Sequence, residues 1–546
     1  MRSQRTKPMT RQCFSVWQGL WLAMLLACSA CTTLPQQAQT LDEELKPVPV
    51  GNVRSALGPH WKHGVMMEIY VRGYQDSNGD GVGDLRGLIN RLDYLQELGV
   101  TGLWLMPVFE SQDKDHGYAI ANYRRIEADY GSLEDFDALV AQAHARGIGI
   151  VLDYVMNHSA ADHALFADSS ASRQSRFRDW YVWQDTPPAG WKIYSQNPWY
   201  EMDSGAYFAG FWNQMPDFNL RNPAVVSWHL DNLRFWLNRG VDGFRFDAVG
   251  NLFENGPDAW ESQPENHVLM QQVRKAVMAY DNRYMVCEAP GDPQGFGMPE
   301  SCGSSFAFGQ QANVVGAAAG DDSSIQDMAD YWRTAPVGMA NLGSNHDAFA
   351  GERLWDQLEG NTQQLKLAAA SYLLAPATPF VYYGEEIGMA GARGLKGDPR
   401  LRTPMSWTAQ PGHGGFSTVE PFRELSANAA SQNVASQRTD AASLLNFYKS
   451  LIHLRTARAS LMVGSYTDAV VDKFCLSYQR RHGTQTTLVA FNYGRKAASC
   501  LARGLPRQAK LTALYPSAGS AAASTDTDGQ VRLPLLGQSF AVFSVD

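Results

Sequence analysis

The sequence predicts an α/β protein in which a closed (β/α)8 TIM barrel is followed by a separate antiparallel β domain. From residue 64 onward, short apolar runs alternate with amphipathic helical patterns such as LEDFDALVAQAHARG at 133–147. The runs number eight, at residues 65–71, 100–108, 148–155, 241–249, 284–289, 304–308, 339–347 and 378–386. Eight alternations favour a closed barrel over an open sheet, and SSFAF at 304–308 is the weakest of the predicted strands.

Two regions break this alternation. The long interval between the third and fourth runs is rich in Trp, Tyr, Pro and Ser, which predicts an inserted subdomain at 159–218 on the carboxyl face of the barrel. From about residue 460 the pattern changes to short alternating strands between Gly, Ser and Asp clusters. We therefore expect a barrel domain at 59–459, including the insertion, and a C-terminal β-sandwich domain at 460–546.

The N-terminal segment is typical of an export signal. Residues 1–31 carry no acid and four cations, and their apolar run at 14–30 is too short for a confident membrane span. LLACSAC at 25–31 resembles the lipobox of bacterial lipoproteins, with either Cys28 or Cys31 as the lipid-carrying residue and a plain cleaved signal as the alternative. We expect a tether at 32–58 and an exported protein, anchored in a membrane only by this lipid and facing the periplasm or cell surface, or otherwise secreted.

Composition narrows the class of protein. The chain has 546 residues, 45% hydrophobic and 18% charged, which excludes a single small module and extensive disorder. A net charge of −9 argues against nucleic acid as a partner, and we expect a monomer. The 15 Trp, 22 Tyr and 24 Phe are consistent with a large core or with stacking faces for a ring-shaped ligand.

Export permits disulfides, and the order of the four cysteines in the body of the chain suggests two pairs. These are Cys287 with Cys302 and Cys475 with Cys500. Sequence alone establishes neither pairing.

Polar residues close several predicted strands, where barrel enzymes place their active sites. They are Asp153, Asn157, His158, Arg245, Asp247, Glu288, His346 and Asp347. Three carboxylates, Asp247, Glu288 and Asp347, thus converge on one barrel mouth. A carboxylate nucleophile beside a protonated acid is what retaining glycoside hydrolysis requires, at about 5–5.5 Å. Any of these residues taken singly is equally consistent with a structural ion pair, but their common position at strand ends favours catalysis.

Four ordered blocks resemble the signature motifs of the α-amylase family, glycoside hydrolase family 13. They are DYVMNH at 153–158, GFRFDAV at 243–249, VCEAP at 286–290 and GSNHD at 343–347. GLWLMPV, MPDFN and TPFVYYGEEIGM are similar to further blocks of that family, and the resemblance covers about residues 60–455. It implies that Asp247 is the nucleophile, Glu288 the general acid and base, and Asp347 the transition-state stabiliser.

The same resemblance implies a set of substrate contacts on the nonreducing side of the cleaved bond. Arg245, His158 and His346 would line that subsite, and Arg245 would also keep Asp247 ionised. HGY at 116–118 is similar to the block that supplies a stacking tyrosine, so Tyr118 is expected to be a sugar platform. Asp115 or His116 is expected to contact a sugar hydroxyl, and a core role for Tyr118 is the alternative.

Three departures bear on specificity. Many α-amylases have Lys and His three and four positions after the nucleophile, whereas this chain has Gly250 and Asn251. Ala248, directly after Asp247, resembles the small residue of family members that act on α-1,4 bonds. MPDFN resembles the MPDLN form of the group intermediate between oligo-1,6-glucosidases and neopullulanases more than the QPDLN form of oligo-1,6-glucosidases. That intermediate group contains α-amylases.

The loop DSNGDGVGD at 76–84 predicts a calcium site without reference to the family. Oxygen donors stand at alternate positions, Asp76, Asn78, Asp80 and Asp84, with the carbonyl of Val82 between them. The loop is not an EF-hand, because Gly87 stands where a bidentate Glu is required. We expect a structural Ca²⁺, with a solvated turn that binds no metal as the alternative.

These observations favour an α-amylase that cleaves α-1,4 bonds of starch or maltooligosaccharides. An exo-acting α-glucosidase and a 4-α-glucanotransferase are alternatives on the same catalytic residues, because transfer differs only in what attacks the glycosyl ester. A noncatalytic glucan-binding protein is disfavoured, because all three carboxylates are present.

Overall fold

The computed structural model describes residues 41–516 and 523–546. The predicted signal and both candidate lipid-carrying cysteines lie outside the described residues. The chain divides into two compact units, Met1–Pro47 and Val48–Asp546, and only residues 41–47 of the first are described. No helix in the two described ranges combines the length and apolar character that crossing a membrane requires.

Twenty strands and fifteen α-helices make up the described elements that follow. The strands up to residue 382 are β1 (Met66–Ile69), β2 (Gly102–Leu105), β3 (Phe109–Ser111), β4 (Ile120–Ile126), β5 (Gly149–Val155), β6 (Trp183–Gln184), β7 (Trp199–Met202), β8 (Gly205–Phe208), β9 (Gly243–Asp247), β10 (Tyr284–Cys287), β11 (Ala340–Leu342) and β12 (Thr378–Tyr382). The remaining strands are β13 (Ser465–Asp472), β14 (Cys475–His482), β15 (Gln485–Asn492), β16 (Ala498–Ala502), β17 (Lys510–Tyr515), β18 (Ala523–Ser524), β19 (Val531–Leu535) and β20 (Ser539–Val545).

The helices lie between and after the barrel strands. They are α1 (Leu85–Ile89), α2 (Leu92–Leu98), α3 (Leu133–His144), α4 (Ala164–Ala171), α5 (Pro223–Asn238), α6 (Pro264–Val277), α7 (Pro293–Gly297), α8 (Gln310–Ala319), α9 (Asp322–Thr334), α10 (Leu354–Gln357), α11 (Thr362–Leu373), α12 (Asp398–Leu401), α13 (Val434–Gln437), α14 (Leu444–Thr456) and α15 (Ala459–Val463). Side-chain hydrogen bonds cap the N-termini of several helices. Ser132 forms a capping box with Asp135 on α3, and Asn222 caps α5 ahead of Pro223.

Seven parallel strands form the barrel sheet, in the order β10-β9-β5-β2-β1-β12-β11. The sixth predicted run contributes two bridged residues instead of a full strand: Ser305 bridges Cys287 and Phe306 bridges Ala340. These bridges connect β10 to β11 and close the circle. The run stays short because Gly303 and Gly309, with φ of +75° and +94°, turn the chain on either side of it. The predicted barrel class is therefore confirmed.

Large side chains fill the barrel interior. Trp61, Trp104, Tyr284, Phe306 and Phe380 belong to one buried cluster together with aliphatic residues of the facing strands. Successive strand residues are buried on both faces, since the helices cover the outside. This packed interior leaves the polar residues at the carboxyl ends of the strands as the place where a cavity can form.

After the third barrel strand, β5, the chain forms the predicted inserted region. It contains α4 and a small antiparallel sheet in the order β6-β8-β7. Ile193, Trp199 and Phe208 of the insertion form a separate buried cluster with Trp260, which belongs to the segment after β9. The insertion thus has an aromatic core, which absorbs part of its Trp content.

The C-terminal region is antiparallel, as predicted. A six-stranded sheet has the order β13-β14-β15-β20-β17-β18, and β16 pairs with β19 in a second, two-stranded sheet. Cys475 is bonded to Cys500, and Cys287 is bonded to Cys302 in the barrel, which is the pairing that their order suggested. Arg480 of β14 donates to the carbonyls of Leu374 and Ala375, which attaches this region to the segment that leads into β12.

Candidate active site

The acids Asp247 and Glu288 end two neighbouring barrel strands in register. Asp247 is the last residue of β9, and Glu288 follows the last residue of β10. Phe246 pairs with Cys287, and the amide of Glu288 donates to the carbonyl of Phe246 over 2.9 Å. The two acids therefore occupy adjacent positions on strands spaced by about 4.8 Å, which favours the shorter carboxylate separation of a retaining mechanism.

One guanidinium bridges these two acids. Arg245 Nη1 lies 2.7 Å from Asp247 Oδ1, and Nη2 lies 2.8 Å from Glu288 Oε2. Arg245 stands two residues before Asp247 and thus on the same strand face. Its side chain is only 1% exposed, and a third carboxylate, Asp153, lies 2.7 Å from Nη1. A cation buried this deeply requires such partners, so Arg245 fixes the positions of both acids.

Asp347 is held by two cations instead of one. His346 Nε2 lies 3.0 Å from Asp347 Oδ2, and Arg402 Nη2 lies 2.9 Å from Asp347 Oδ1. The other ring nitrogen of His346 lies 2.6 Å from Glu68 Oε1 on β1. The imidazole thus sits between two carboxylates and stays protonated.

The environments separate the three acids by pKa. Burial, reinforced by the carboxylates of Asp247 and Asp347, raises the pKa of Glu288 to about 7 against the opposing charge of Arg245. Burial also raises the pKa of Asp247 to about 6, and Arg245 limits that rise. Burial acts in the same sense on Asp347, but the charges of His346 and Arg402 outweigh it and hold the pKa of Asp347 far below its usual range. Glu288 is therefore the acid that stays protonated longest as pH rises.

His346 carries the complementary shift. Burial lowers the pKa of this imidazole, but the carboxylates of Asp347 and Glu68 dominate and raise it to about 10. His158 differs, because burial lowers its pKa to about 3 and leaves it neutral. Its Nε2 has no hydrogen-bond partner among the described residues, and the ring lines the cavity. His158 therefore offers a hydrogen-bonding nitrogen to a bound molecule.

These groups surround a cavity of about 750 Å³ at the carboxyl mouth of the barrel. Its walls combine the three acids with aromatic and polar side chains from the insertion and from the loops after β9 and β11. The lining residues are His116, Tyr118, His158, Tyr194, Phe211, Trp212, Met215, Asp247, Ala248, Asn251, Glu261, Glu288, Pro290, Asp347, Phe349, Asp398 and Arg402. A volume of this size suits a ligand of several hundred daltons.

Tyr118 lines the cavity and packs against His346, which directly precedes Asp347 in the chain. Its ring stacks on His346, with centroids 5.6 Å apart and planes at 14°. Its hydroxyl donates to Asp153 over 2.8 Å and lies 2.8 Å from His346 Nε2. The ring is mostly buried, so it contacts the core and the cavity at once.

Three predicted substrate contacts do not line the cavity. Arg245 and His346 lie beneath it, where they hold the acids. Asp115 faces Arg423 Nη2 at 2.8 Å and Arg402 Nη1 at 3.5 Å, and the hydroxyl of Tyr70 donates to it over 2.8 Å. Asp115 thus acts on the cavity by positioning Arg402. Of the two alternative sugar contacts expected from the sequence, Asp115 and His116, His116 is the one that lines the cavity.

Sequence reasoning missed Arg402 and Glu68. Arg402 follows α12, in the irregular segment after the last barrel strand, where no periodicity points to it. Glu68 is a single acid within an apolar run, MMEI, and an ionisable residue on a fully buried strand is the signal that marks it. Glu68 acts on the site through His346, whereas Arg402 holds Asp347 and also lines the cavity.

The predicted calcium loop is folded around its own acids. Asp76 accepts hydrogen bonds from the amides of Asn78, Gly79 and Gly81 and from the Ser417 hydroxyl. Burial opposes ionisation, but these hydrogen bonds, led by that of Ser417, lower the pKa of Asp76. Across residues 41–516 and 523–546, no three His, Cys, Asp or Glu side chains gather closely enough to hold a metal ion. A cation in this loop would therefore depend on the Asn78 amide and the Val82 carbonyl as well as on the acids.

The barrel and its bridged acids define the class of protein, a glycoside hydrolase. A family model described as "Alpha amylase, catalytic domain" matches residues 68–464. The chain belongs to the α-amylase family, glycoside hydrolase family 13.

Individual relatives are named for different activities. "Alpha-amylase 3" of Dictyoglomus thermophilum is 32% identical over 454 residues, which cover 80% of this chain and 86% of that protein. A "Probable alpha-glucosidase" of Rhizobium meliloti is 31% identical over 543 residues, covering 88% of this chain and 96% of that protein. The crystal structure of an α-amylase from H. orenii has a TM-score of 0.75 at 30% identity and covers 89% of this chain and all of that one (100%).

Proposed function

We propose that the protein is an α-amylase, a retaining hydrolase that cleaves α-1,4-glucosidic bonds of starch or maltooligosaccharides. One observation carries the proposal: Asp247 and Glu288 end adjacent strands in register and share the guanidinium of Arg245. A nucleophile and an acid held this close match the double-displacement arrangement.

In the first step, the Asp247 carboxylate attacks the anomeric carbon of the sugar while Glu288 donates its proton to the glycosidic oxygen. The leaving chain departs as an alcohol, and a glycosyl ester forms on Asp247. In the second step Glu288, now ionised, removes a proton from water, and the resulting hydroxyl displaces Asp247. Two inversions leave the anomeric configuration unchanged.

The order of pKa values supports this division of roles. Burial and the neighbouring acids raise the pKa of Glu288 to about 7, whereas that of Asp247 is raised to about 6. Between these values Glu288 is mostly protonated and Asp247 mostly ionised. Asp347, ionised over the whole range, stabilises the positive charge that develops on the sugar and accepts its hydroxyls.

Bond specificity is inferred from the residue after the nucleophile. Ala248 lines the cavity and has φ of +46°, so the chain turns sharply directly behind Asp247. Its methyl group leaves more room beside the nucleophile than a branched side chain would. We take this as support for α-1,4 bonds, together with the similarity to the α-amylases of Dictyoglomus thermophilum and H. orenii.

An exo-acting α-glucosidase is the second candidate, and a specific cluster favours it. Asp115, Arg402 and Arg423 form a charged group that contacts Asp347 through Arg402. Such a group suits the end hydroxyls of a terminal sugar better than a chain that continues past it. The similar Rhizobium meliloti protein is named a probable α-glucosidase.

Product chromatography separates these candidates. Mixed maltooligosaccharides from soluble starch indicate an amylase, and glucose alone indicates an exo-acting glucosidase. Products longer than the substrate, formed from maltotriose, indicate a 4-α-glucanotransferase. Absence of turnover on starch and maltooligosaccharides by the purified wild type would overturn the proposal as a whole.

We further propose that the loop from Asp76 to Asp84 binds a structural Ca²⁺, and that the protein is exported as a lipid-anchored monomer. The calcium proposal rests on an all-oxygen donor set and on the sharp bends at Gly79 and Gly81, with φ of +82° and +88°. The export proposal rests on the cationic, then apolar, first 31 residues.

A further inference from the structure

A two-residue turn in the insertion brings an aromatic ring to the cavity. Ile193 and Gln196 exchange both backbone hydrogen bonds, at 2.9 and 2.8 Å, so Tyr194 and Ser195 are the central residues of a tight hairpin. Their φ angles are +47° and +70°. Two consecutive left-handed residues match the turn that normally takes Asn-Gly, and neither Tyr nor Ser suits these angles. The turn therefore keeps an unfavourable backbone conformation.

The base of this hairpin is anchored. Ile193 is buried in the aromatic core of the insertion with Trp199, Phe208 and Trp260, and Trp191 packs against the same cluster. The strain at Tyr194 is thus imposed by a packed base and is not relieved by a shift of the turn. Strain retained in this way concentrates at functional positions.

The ring itself contributes little to the core. Tyr194 is 68% exposed, yet it lines the cavity together with Glu288. Its ring centroid lies 5.9 Å from that of Trp260 and 6.4 Å from that of Phe211, which orient it. Core packing accordingly explains the orientation of this ring but not its exposure.

The position of Tyr194 is on the side of the cavity formed by the chain that follows the nucleophile. Asn251 and Glu261 line that side, and the amide of Ser262 donates to the carbonyl of Gly250 over 2.7 Å. Trp260, against which Tyr194 packs, directly precedes Glu261 in the chain. Tyr118, by contrast, stacks on His346 beside Asp347. The two tyrosines therefore line the cavity with different neighbours: Tyr194 beside Trp260 and Phe211, and Tyr118 beside His346.

We propose that Tyr194 is a specificity-determining residue, whose exposed ring stacks on the sugar on the leaving-group side of the cleaved bond. The inference rests on the proposed glycoside hydrolysis and adds a subsite to it. The apolar C–H face of a pyranose matches an aromatic face. The strained turn already holds the ring in place, so the ring loses little conformational freedom when a sugar binds.

The test compares two substrates that differ in the leaving group. Maltotriose loses a sugar, whereas an α-glucosyl or α-maltosyl fluoride, whichever the wild type hydrolyses, loses fluoride and needs no leaving-group subsite. We expect Tyr194→Ala to lower kcat/KM on maltotriose about tenfold, mainly through KM, and to change turnover of the fluoride less than about twofold. Tyr194→Phe keeps the ring face and should retain activity on both substrates.

A second variant separates strain from binding. Tyr194→Asn should raise Tm by roughly 1–3 °C, because Asn tolerates the left-handed conformation, and should lose maltotriose activity like Tyr194→Ala. The matched control is Lys473→Asn, at an exposed hairpin turn of the C-terminal region with φ of +55°. It should raise Tm without changing either activity.

Two results would overturn the inference while the proposed hydrolysis stands: Tyr194→Ala with unchanged kinetics on maltotriose, or with equal losses on maltotriose and the fluoride. A wild type that hydrolyses neither substrate would overturn the proposed function, and this inference with it.

Discussion

Arg402 Nη2 donates to Asp347 Oδ1 over 2.9 Å, from a segment that lies beyond the last barrel strand. The same guanidinium also lies 3.5 Å from Asp115 and 3.3 Å from Asp398. Arg402 is nearly buried, with a side chain 4% exposed. It thus fixes the one acid of the cluster that Arg245 does not bridge, and it connects that acid to the edge of the cavity.

Removal of Arg402 should impair turnover more than folding. Arg402→Ala releases one oxygen of Asp347 and leaves its charge less well placed in the transition state, so we expect kcat/KM to fall about 100- to 1,000-fold. Arg402→Lys keeps the positive charge but lacks the planar guanidinium with its paired N–H donors, so kcat/KM should fall by an intermediate amount. The control is Arg438→Ala, which removes an exposed partner of Glu97 far from the cavity. Activity of Arg402→Ala within threefold of the wild type would contradict the role given to this residue.

The pH dependence of kcat/KM should be a narrow bell with its maximum between about 6 and 7. Asp247 must be ionised, and burial raises its pKa to about 6, so activity is lost as pH falls below that value. Glu288 must be protonated, and burial with the neighbouring acids raises its pKa to about 7, so activity is lost above that value. Glu288→Gln should remove the alkaline limb on an activated substrate. A pH profile in which both limbs have pKa values near 4, as ordinary carboxyl groups do, would contradict the raised pKa values of Asp247 and Glu288.

Loss of the Cys287–Cys302 disulfide should alter the titration of Glu288. Cys287 directly precedes Glu288, and its carbonyl accepts a hydrogen bond from the amide of Phe306 over 3.1 Å. The disulfide therefore holds in place both Glu288 and the segment that closes the barrel. We expect Cys287→Ala/Cys302→Ala to lose about 3 kcal/mol of stability and to shift the alkaline limb of the pH profile.

The second disulfide provides the matched control. Cys475→Ala/Cys500→Ala should lose comparable stability, because the closed loop is of similar length, and should leave the pH profile in place. Thermal melts and pH profiles of both double variants make the comparison. A shared loss of stability with no difference between the pH profiles would show that the barrel disulfide is structural only.

The carboxyl ends of β5, β9 and β10 show why so much of the site was predictable. Asp153, Arg245, Asp247 and Glu288 belong to or directly follow strands, and parallel strands bring their carboxyl ends together. Local periodicity was therefore enough to predict that these side chains meet. The same reasoning predicted the barrel, the insertion and the C-terminal antiparallel sheet.

Other features depend on contacts between segments distant in the sequence, which no local pattern reports. Arg402 and Arg423, both distant from Asp115 in the sequence, form ion pairs with it at 3.5 and 2.8 Å. The sixth run bridges its neighbours through Ser305 and Phe306 alone, because glycines bend the chain on either side. The strained turn at Tyr194 follows from the anchoring of Ile193, which pattern and composition do not reveal.

Chelation tests the calcium proposal. Removal of the ion should lower Tm by several degrees in the wild type, because binding to the folded state alone adds to stability. Asp80→Asn removes an exposed carboxylate donor and should abolish the shift. Asp526→Asn is the control, since Asp526 also accepts loop amides, those of Asp528 and Gln530, but lies in the C-terminal region. Identical melting with and without chelator in the wild type would contradict a metal in this loop.

The covalent intermediate tests the central claim most directly. Glu288→Gln slows the second step, so a short incubation with an α-glycosyl fluoride should accumulate the glycosyl ester. Peptide mass spectrometry should then find the added sugar on Asp247, and Asp247→Asn should show neither this adduct nor turnover while keeping the melting temperature of the wild type. A sugar attached to another residue, or turnover retained by Asp247→Asn, would contradict the assignment of Asp247 as the nucleophile.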